Sequence, residues 1–324
     1  MNTSSPSLSV VVVFYNMRRE AARTLHSLSR SYQRGVDDLD YEVIALDNGS
    51  SEPLDEGMVL AHGPEFSYHR LDQTSRSPVG AMNHGARLAR AEHLMLCIDG
   101  ARILSPGALR ESVRATRCHT KPVVATLSWH IGPAPQDQAV RAGYDREFED
   151  RLLAEHDWQT DGYRLFECST AGYSSAAGWF RPIHESNALT VSRAFYEELG
   201  GYDEGFQSPG GGLANLDLFR RACEAPGSQL VIVLGEGSFH QLHGGASTNA
   251  PREDSPWQAF SREYESLRGY SYRAPDVAPL YSGTLPPTTL PFLRESAEKT
   301  LSAEPAPGGL LRRIAGCWQR LSRR

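Results

Sequence analysis

Aspartate and histidine residues follow several apolar runs of the sequence within a few positions. Asp47 and Asp99 each follow such a run, and His240 and His243 come shortly after the last one. An aspartate just beyond a buried strand can accept hydrogen bonds from a base or a ribose. Carboxylate and neutral imidazole together suit Mn²⁺ or a similar ion. These positions predict a site for a nucleotide, a metal ion or both, although each cluster alone is also typical of a surface turn or loop.

A second set of candidates belongs to a run of small residues at the start of a predicted helix, 79–91. Gly80 and Asn83 lie in this run, where small side chains let a ligand approach backbone amides. The alternative is a helix that simply begins after a proline. Arg102 follows Asp99 and could offset the charge of a diphosphate by hydrogen bonds and its own charge if metal binding were lost.

These residues need a sheet to bring them together. Short apolar runs without polar alternation, typical of parallel strands buried on both faces, lie at 9–14, 41–46, 93–98, 122–127 and 230–234. Helical spacing predicts helices at 18–32, 79–91 and 257–268. The alternation predicts an α/β fold with a doubly wound sheet, whose ligands bind at the carboxyl ends of the strands. The polar, aromatic and glycine-rich stretch 131–185 predicts an inserted region that shapes a substrate pocket.

Four sequence blocks in a fixed order resemble the family-two glycosyltransferases of the GT-A fold. They are a strand ending in Tyr15-Asn16, LDNGSSE at 46–52, the block at 83–109, and NALTVSRAFYEELGGYDEGF at 187–206. The resemblance spans roughly residues 8–250. It implies a Rossmann-like α/β fold with a mixed, mostly parallel sheet flanked by helices, and a nucleoside-diphosphate sugar as donor.

The resemblance also implies which residues surround the donor. They are Phe14, Tyr15, Asn16, Asp47, Gly80, Asn83 and Asp99. Among them, Asp47 is expected to contact the base, and Asp99 to be the first carboxylate of the family's Asp-x-Asp metal motif. His240 and His243 resemble the family's C-terminal histidine segment, which can complete a site for a divalent ion such as Mn²⁺ or Mg²⁺.

Two positions depart from the family's pattern. Ala101 stands where the second aspartate of the metal motif is expected, and Asn215 stands where the family carries its catalytic base. An amide cannot take the proton of an acceptor hydroxyl, and loss of general-base assistance costs about 10²–10⁴ in rate. Asn215 is instead a favoured N-cap for a predicted helix at 216–223. Asp217 keeps the motif's last carboxylate and is the candidate base, but it could equally pair with Arg220 or Arg221 at helical spacing.

Composition excludes several classes of protein. The 324 residues are 40% hydrophobic and 22% charged, as in a soluble globular protein, and the N-terminus predicts neither a signal peptide nor a membrane span. Five scattered cysteines suit a reducing cytoplasm. The formal net charge is −6, yet 310–324 holds five arginines, so the body is too acidic for nonspecific nucleic-acid binding. The apolar face of this tail predicts either peripheral association with an anionic membrane surface or packing on protein.

The sequence thus predicts three parts: a GT-A-like nucleotide-sugar domain at 1–250, an extension at 251–301, and a linker with a basic amphipathic helix at 302–324. The expected activity is a hexosyltransferase-type transfer of sugar, with inversion, from a nucleoside-diphosphate sugar to a hydroxyl of a glycan or lipid-linked saccharide. The alternative is an inactive relative that binds nucleotide sugar or glycan. A nucleotidyltransferase would need an early glycine-rich, basic triphosphate loop, which the sequence lacks.

Overall fold

The computed structural model describes residues 5–72, 75–245 and 256–302. The predicted linker beyond Ser302 and the amphipathic tail at 310–324 lie outside these ranges, as do residues 246–255. None of the helices within the ranges combines the length and the apolar character needed to cross a membrane.

Ten strands of the described chain form one sheet. They are β1 (Leu8–Phe14), β2 (Tyr41–Asp47), β3 (Phe66–Arg70), β4 (His93–Cys97), β5 (Arg102–Leu104), β6 (Pro122–Ile131), β7 (Ser169–Ala171), β8 (Leu189–Ser192), β9 (Gln229–His240) and β10 (Leu280–Ser282). The main path runs β10-β9-β6-β8-β4-β1-β2-β3. All strands on it are parallel except β8, which is antiparallel to both β4 and β6. The predicted α/β fold with a mixed, mostly parallel sheet is confirmed.

Helices flank this sheet. They are α1 (Arg18–Leu28), α2 (Glu56–Leu60), α3 (Val79–Leu88), α4 (Ala108–Ala115), α5 (Gln136–Arg141), α6 (Arg146–Glu155), α7 (Arg193–Glu198), α8 (Ala214–Glu224), α9 (Trp257–Arg268) and α10 (Leu290–Ser302). The helix expected at 257–268 is confirmed in its bounds. The helix expected at 18–32 is shorter than predicted, because Ser29 turns to an extended conformation and its backbone N–H returns to the His26 carbonyl.

The central strands are covered on both faces. Val11 and Val13 of β1 belong to one hydrophobic cluster, whereas Val10 and Val12 belong to another. Successive side chains of a strand point to opposite faces, so alternate valines in two separate clusters require apolar cover on each side. This explains why β1 is a continuous apolar run rather than an alternating pattern.

Strand β9 extends well beyond the predicted stretch 230–234 because it contains a bulge. Its register against β6 shifts between Ala125 and Leu127, and Gly235 adopts a positive φ of 75°. A Cβ at Gly235 would come within 2.6 Å of the Thr284 carbonyl oxygen, so only glycine fits there. After the bulge β9 continues as the partner of β5, with Arg102 opposite His240. The bulge therefore brings two predicted site residues side by side.

The segment predicted as an extension, 251–301, contributes to the same sheet in its described part. Strand β10 pairs in parallel with β9 from Val231 to Val233. Helix α9 buries Phe260 and Tyr264, which are 4% and 1% exposed. Residues 256–302 therefore pack on the sheet that carries the predicted site.

Candidate functional site

A cleft of about 1150 Å³ opens at the carboxyl ends of the parallel strands. Val13 of β1, Asp99 after β4, His130 of β6 and His240 of β9 all line it. In open α/β sheets this is the edge where ligands bind, because loops diverge there and leave a crevice. The cleft is the candidate functional site.

Asp99, His240 and His243 converge inside this cleft, with one donor atom of each within 4.8 Å of the others. Nε2 of His240 lies 3.0 Å from Asp99 Oδ2, and Nε2 of His243 lies 3.6 Å from Asp99 Oδ1. The two Nε2 atoms are 3.0 Å apart. The three side chains predicted to form a metal site are thus brought together.

Arg102 adds a fixed positive charge to this cluster. Its Nε donates to Asp99 Oδ2 at 3.0 Å, and its Nη1 donates to Ser128 Oγ at 2.8 Å. Burial alone would raise the pKa of Asp99, but the hydrogen bond from His240 and the ion pair with Arg102 hold that pKa well below its usual value. Burial, reinforced by Arg102, lowers the pKa of His240 well below its usual value. The cluster therefore contains an ionised carboxylate and a neutral His240.

The Asp99–His240–His243 cluster offers the donor atoms that a divalent ion needs. A carboxylate oxygen and two imidazole nitrogens suit a borderline ion such as Mn²⁺, and their convergence fits one ion. Two features weaken the site. Arg102 balances the charge of Asp99, and His240 Nδ1 is buried without the hydrogen-bond partner that normally orients a metal-bound imidazole, within the described residues. The residues fit a metal, less strongly than a pair of carboxylates would.

His130 lies beside this cluster, its ring centroid 5.6 Å from that of His240. Its Nδ1 accepts a hydrogen bond from the Gln136 backbone N–H at 3.0 Å, so the proton of the neutral ring is on Nε2. Burial and the nearby Arg102 lower the pKa of His130 to about 4, which keeps the ring neutral at ordinary pH. His130 is a neutral hydrogen-bond donor on the cleft wall.

Residues 9–168, which include β2 to β6, all of β1 except Leu8, and Asp99, match the profile described as glycosyl transferase family 2. The match covers just under half of the chain, and residues 9–168 are called the family-two region. The family-two region thus contains Asp99, the acidic member of the cluster. The two histidines lie C-terminal to this region, His240 at the end of β9 and His243 in the loop after it.

Two relatives from Drosophila melanogaster match a larger part of the chain. "N-acetylgalactosaminyltransferase 6" is 28% identical over 219 residues, covering 64% of this chain and 30% of that protein. "Polypeptide N-acetylgalactosaminyltransferase 8" is 25% identical over 274 residues, covering 81% and 43%. The chain thus spans less than half the length of these relatives. Among solved structures, S. aureus TarS 1-349 in complex with UDP-GlcNAc gives a TM-score of 0.47 at 12% identity, covering 80% of this chain and 66% of that one.

The three residues at the end of β1, Phe14, Tyr15 and Asn16, differ in whether they reach the cleft. Tyr15 lines it and is 36% exposed. Phe14 is fully buried and packs against Gly100 instead. Asn16 has a positive φ of 52°, and its Oδ1 accepts from the Ser51 backbone N–H at 2.9 Å. Of these three residues predicted to surround the sugar donor, Tyr15 lines the cleft. Asn16 instead joins the loop after β1 to the loop after β2.

Asp47 is fully buried and its carboxylate is used by the turn that follows it. Oδ1 accepts from the Ser50 N–H at 2.8 Å and Oδ2 from the Leu54 N–H at 2.9 Å. The neighbouring Asn48 lines the cleft instead. Its Nδ2 donates to the carbonyls of Ser75 and Ser77, whereas its buried Oδ1 has no partner among the described residues. The geometry offers Asn48, rather than Asp47, as the side chain available to a base.

Asn83 is placed in a second, smaller surface pocket rather than in the cleft. Its Oδ1 accepts from the Tyr196 hydroxyl at 2.6 Å, and its Nδ2 donates to the Tyr202 carbonyl at 2.9 Å. The amide therefore holds the loop after α7. Gly80 lies in the first turn of α3. Pro78, just before this helix, lines the cleft, whereas Gly80 does not.

The two catalytic candidates of α8 face different surroundings. Asn215 lines the cleft. It lies inside the helix, whose N-cap is Leu213, so the expected N-cap role is wrong. Asp217 is 1% exposed and accepts hydrogen bonds from Arg221 and Arg268 on both carboxylate oxygens. The predicted alternative, pairing with an arginine one turn along α8, is what the structure contains, and Asp217 does not line the cleft.

Sequence reasoning missed Glu185, which lies on the cleft wall within hydrogen-bond reach of Asn215. The signal available was weak: Glu185 ends the stretch 131–185, just before the resemblance resumes at 187. Its location depends on the direction of β8, a strand of four residues that was not predicted. Asn48 and His130 were missed because a strand end does not reveal which of two successive side chains faces the ligand.

Proposed function

We propose that the chain binds a nucleoside-diphosphate sugar in the cleft and transfers its sugar, with inversion, to a hydroxyl of a glycan or lipid-linked saccharide. The observation that carries this proposal is the cluster of Asp99, His240, His243 and Arg102 at the carboxyl ends of the strands, adjoining a family-two region. Carboxylate, imidazole and guanidinium groups at one point suit a diphosphate, either through a metal ion or by direct hydrogen bonds.

The donor proposed for the first test is a uridine-diphosphate N-acetylhexosamine, because both Drosophila relatives are named as N-acetylgalactosaminyltransferases. Asn48 supports a uracil nucleotide. Both protons of its amide nitrogen are directed to backbone carbonyls, so its buried Oδ1 is left as an acceptor for the imide N–H of uracil.

Asp99, His240 and His243 are proposed to hold Mn²⁺ or Mg²⁺, which would screen the diphosphate when bound. Arg102 and the neutral His130 are proposed to donate hydrogen bonds to the same oxygens. Peripheral attachment to an anionic membrane surface through 310–324 is also proposed from its five arginines and apolar face. Cosedimentation with anionic vesicles, with and without these residues, tests that attachment.

The proposed activity is tested by incubating the protein with a panel of nucleotide sugars, with Mn²⁺ or with a chelator, and measuring nucleoside diphosphate release. Release from one donor, increased by a saccharide acceptor, is the expected result. Binding of a donor without release, for every donor and acceptor supplied, would favour the second candidate function. That candidate is an inactive protein that binds nucleotide sugar, and Ala101 and Asn215 are the departures that speak for it.

Replacing Asn48 by alanine is expected to weaken UDP binding about fivefold, the usual net worth of one neutral hydrogen bond. Cytosine has no imide N–H, so the wild type should prefer UDP to CDP and Asn48→Ala should lose that preference. Calorimetric titration with both nucleotides measures this. Asn83→Ala is the comparison, because its amide lies in the second pocket. An equal loss of UDP affinity in both variants would show that Asn83 also contributes to the nucleoside site.

A further inference from the structure

Glu185 lies on the wall of the cleft, shortly before the antiparallel strand β8. Leu96 of β4 pairs with Leu189 of β8. Asp99 follows Leu96 and Glu185 precedes Leu189, so both emerge at the same edge of the sheet, and both line the cleft. Because β8 runs against its neighbours, its amino end lies where the parallel strands present their carboxyl ends.

The backbone beside Glu185 is fixed to the sheet. Ser186 is fully buried. Its hydroxyl accepts from the Thr126 N–H at 3.1 Å and donates to the Thr126 carbonyl at 3.1 Å. These bonds tie the segment to β6, a central strand, so Glu185 is supported by a rigid element rather than by a free loop.

The amide of Asn215 orients the Glu185 carboxylate. Its Oδ1 accepts from the Tyr202 hydroxyl at 3.0 Å, which fixes which end of the amide faces the cleft. Its Nδ2 then donates to Glu185 Oε2 at 2.9 Å and to the Ser186 carbonyl at 3.3 Å. An aspartate at 215 could make neither donation, because an ionised carboxylate only accepts.

Glu185 differs from the other carboxylates of the cleft in its charge environment. Asp99 is paired with Arg102 at 3.0 Å, and Asp137 lies 3.8 Å from Arg141. The Glu185 carboxylate is held by a neutral amide, and in the described chain it has no ion pair with a cation.

We propose that Glu185 is the general base of the transfer, in place of the carboxylate that the family carries at the position of Asn215. This assignment rests on the function proposed above. The acceptor hydroxyl oxygen attacks the anomeric carbon and forms the glycosidic bond. The bond from that carbon to the diphosphate oxygen breaks, and its electron pair leaves with the nucleoside diphosphate. The acceptor proton passes to Oε1 of Glu185, the oxygen that Asn215 does not engage.

Asn215 is a positioning residue in this arrangement. Its amide on α8 is hydrogen-bonded to the carboxylate of Glu185, which precedes β8. The carboxylate of the pair therefore belongs to the segment before β8 instead of to α8. Both side chains line the same cleft, so a base on either side reaches the same space.

The Glu185→Gln variant tests the assignment, because glutamine keeps the size of the side chain and removes its basicity. Turnover is measured as nucleoside diphosphate release with the saccharide acceptor and with water alone, and donor affinity by calorimetry. We expect turnover to fall by about 10²–10⁴-fold, with donor affinity changed by less than about twofold. Glu204→Gln is the matched control. Glu204 also accepts from an asparagine amide, Asn83 Nδ2 at 2.9 Å, but it lies in the second pocket and should tolerate the change.

Each outcome decides between the two proposals. Wild-type turnover in Glu185→Gln overturns the base assignment and leaves the proposed transferase standing. A wild type that binds donor but neither transfers nor hydrolyses it overturns both. If Glu185→Gln does not fold, Glu185→Asp decides instead, because it keeps the carboxylate on a shorter side chain. A fall of about tenfold or more with donor affinity retained supports the base role, and unchanged turnover contradicts it.

Discussion

The Asn215→Asp variant is expected to turn over its donor about 10²-fold more slowly than the wild type, the loss typical of an impaired general base. This result would run against the family pattern, since the change restores the carboxylate expected at that position. The new carboxylate would stand about where Nδ2 now lies 2.9 Å from Glu185 Oε2. Two carboxylates this close cannot both ionise, so one proton is retained and the base is blocked.

The pH profile separates this effect from simple structural damage. Sharing of one proton raises the apparent pKa of the carboxylate pair, so the acidic limb of the activity profile should move to higher pH in Asn215→Asp. Asn215→Ala loses the hydrogen bond without adding a charge. It should therefore lower turnover less and leave that limb near its wild-type position. A gain of activity in Asn215→Asp would instead place the base at 215.

The Asp217→Asn variant is expected to lose about 3 kcal/mol of unfolding free energy, the lower end of the cost of removing one partner from a buried ion pair. Arg268 donates to both oxygens of Asp217, at 2.6 and 2.7 Å, and Arg221 donates at 2.8 Å. The lower end applies because Arg268 keeps a second partner, Asp203, at 2.7 Å. Denaturant unfolding measures the loss.

Turnover should survive this change. Below the unfolding range, Asp217→Asn is expected to keep activity within about threefold of the wild type, because Asp217 is outside the set of cleft-lining residues. Glu298→Gln is the control for stability, since its partner Arg294 is 82% exposed and such surface pairs contribute about 0–1 kcal/mol. A loss of about 10²-fold in turnover with stability intact would restore Asp217 as the base.

The strands predicted from sequence are those with uninterrupted apolar runs. β1, β2 and β4 were found because valine and leucine fill both faces of the sheet. β8 was missed because four residues carry too little pattern, and nothing in them reveals the antiparallel direction. β9 was cut short because Gly235 and Glu236 interrupt its apolar run. The buried carboxyl group of Glu236 is accommodated by hydrogen bonds from Tyr163 and the Gly107 N–H, contacts distant in the sequence.

The same contrast divides the site. Asp99, His240, His243 and Arg102 were identified because each follows a strand whose carboxyl end lies at the cleft. The same reasoning from strand ends placed Asp47 in the site, whereas its carboxylate accepts hydrogen bonds from the turn that follows it. From sequence, Asp217 could be paired with either Arg220 or Arg221, and the structure uses Arg221. Its stronger partner, Arg268, comes from another helix and could only be found in three dimensions.

The pairing of β10 with β9 decides how this protein can be divided for recombinant work. A chain cut at 250 would lose Arg268, leaving the buried Asp217 without its main counterion. It would also uncover the edge of β9 from Val231 to Val233, a row of unpaired backbone groups that templates aggregation. A truncated domain intended to fold should therefore extend through Ser302, the end of α10.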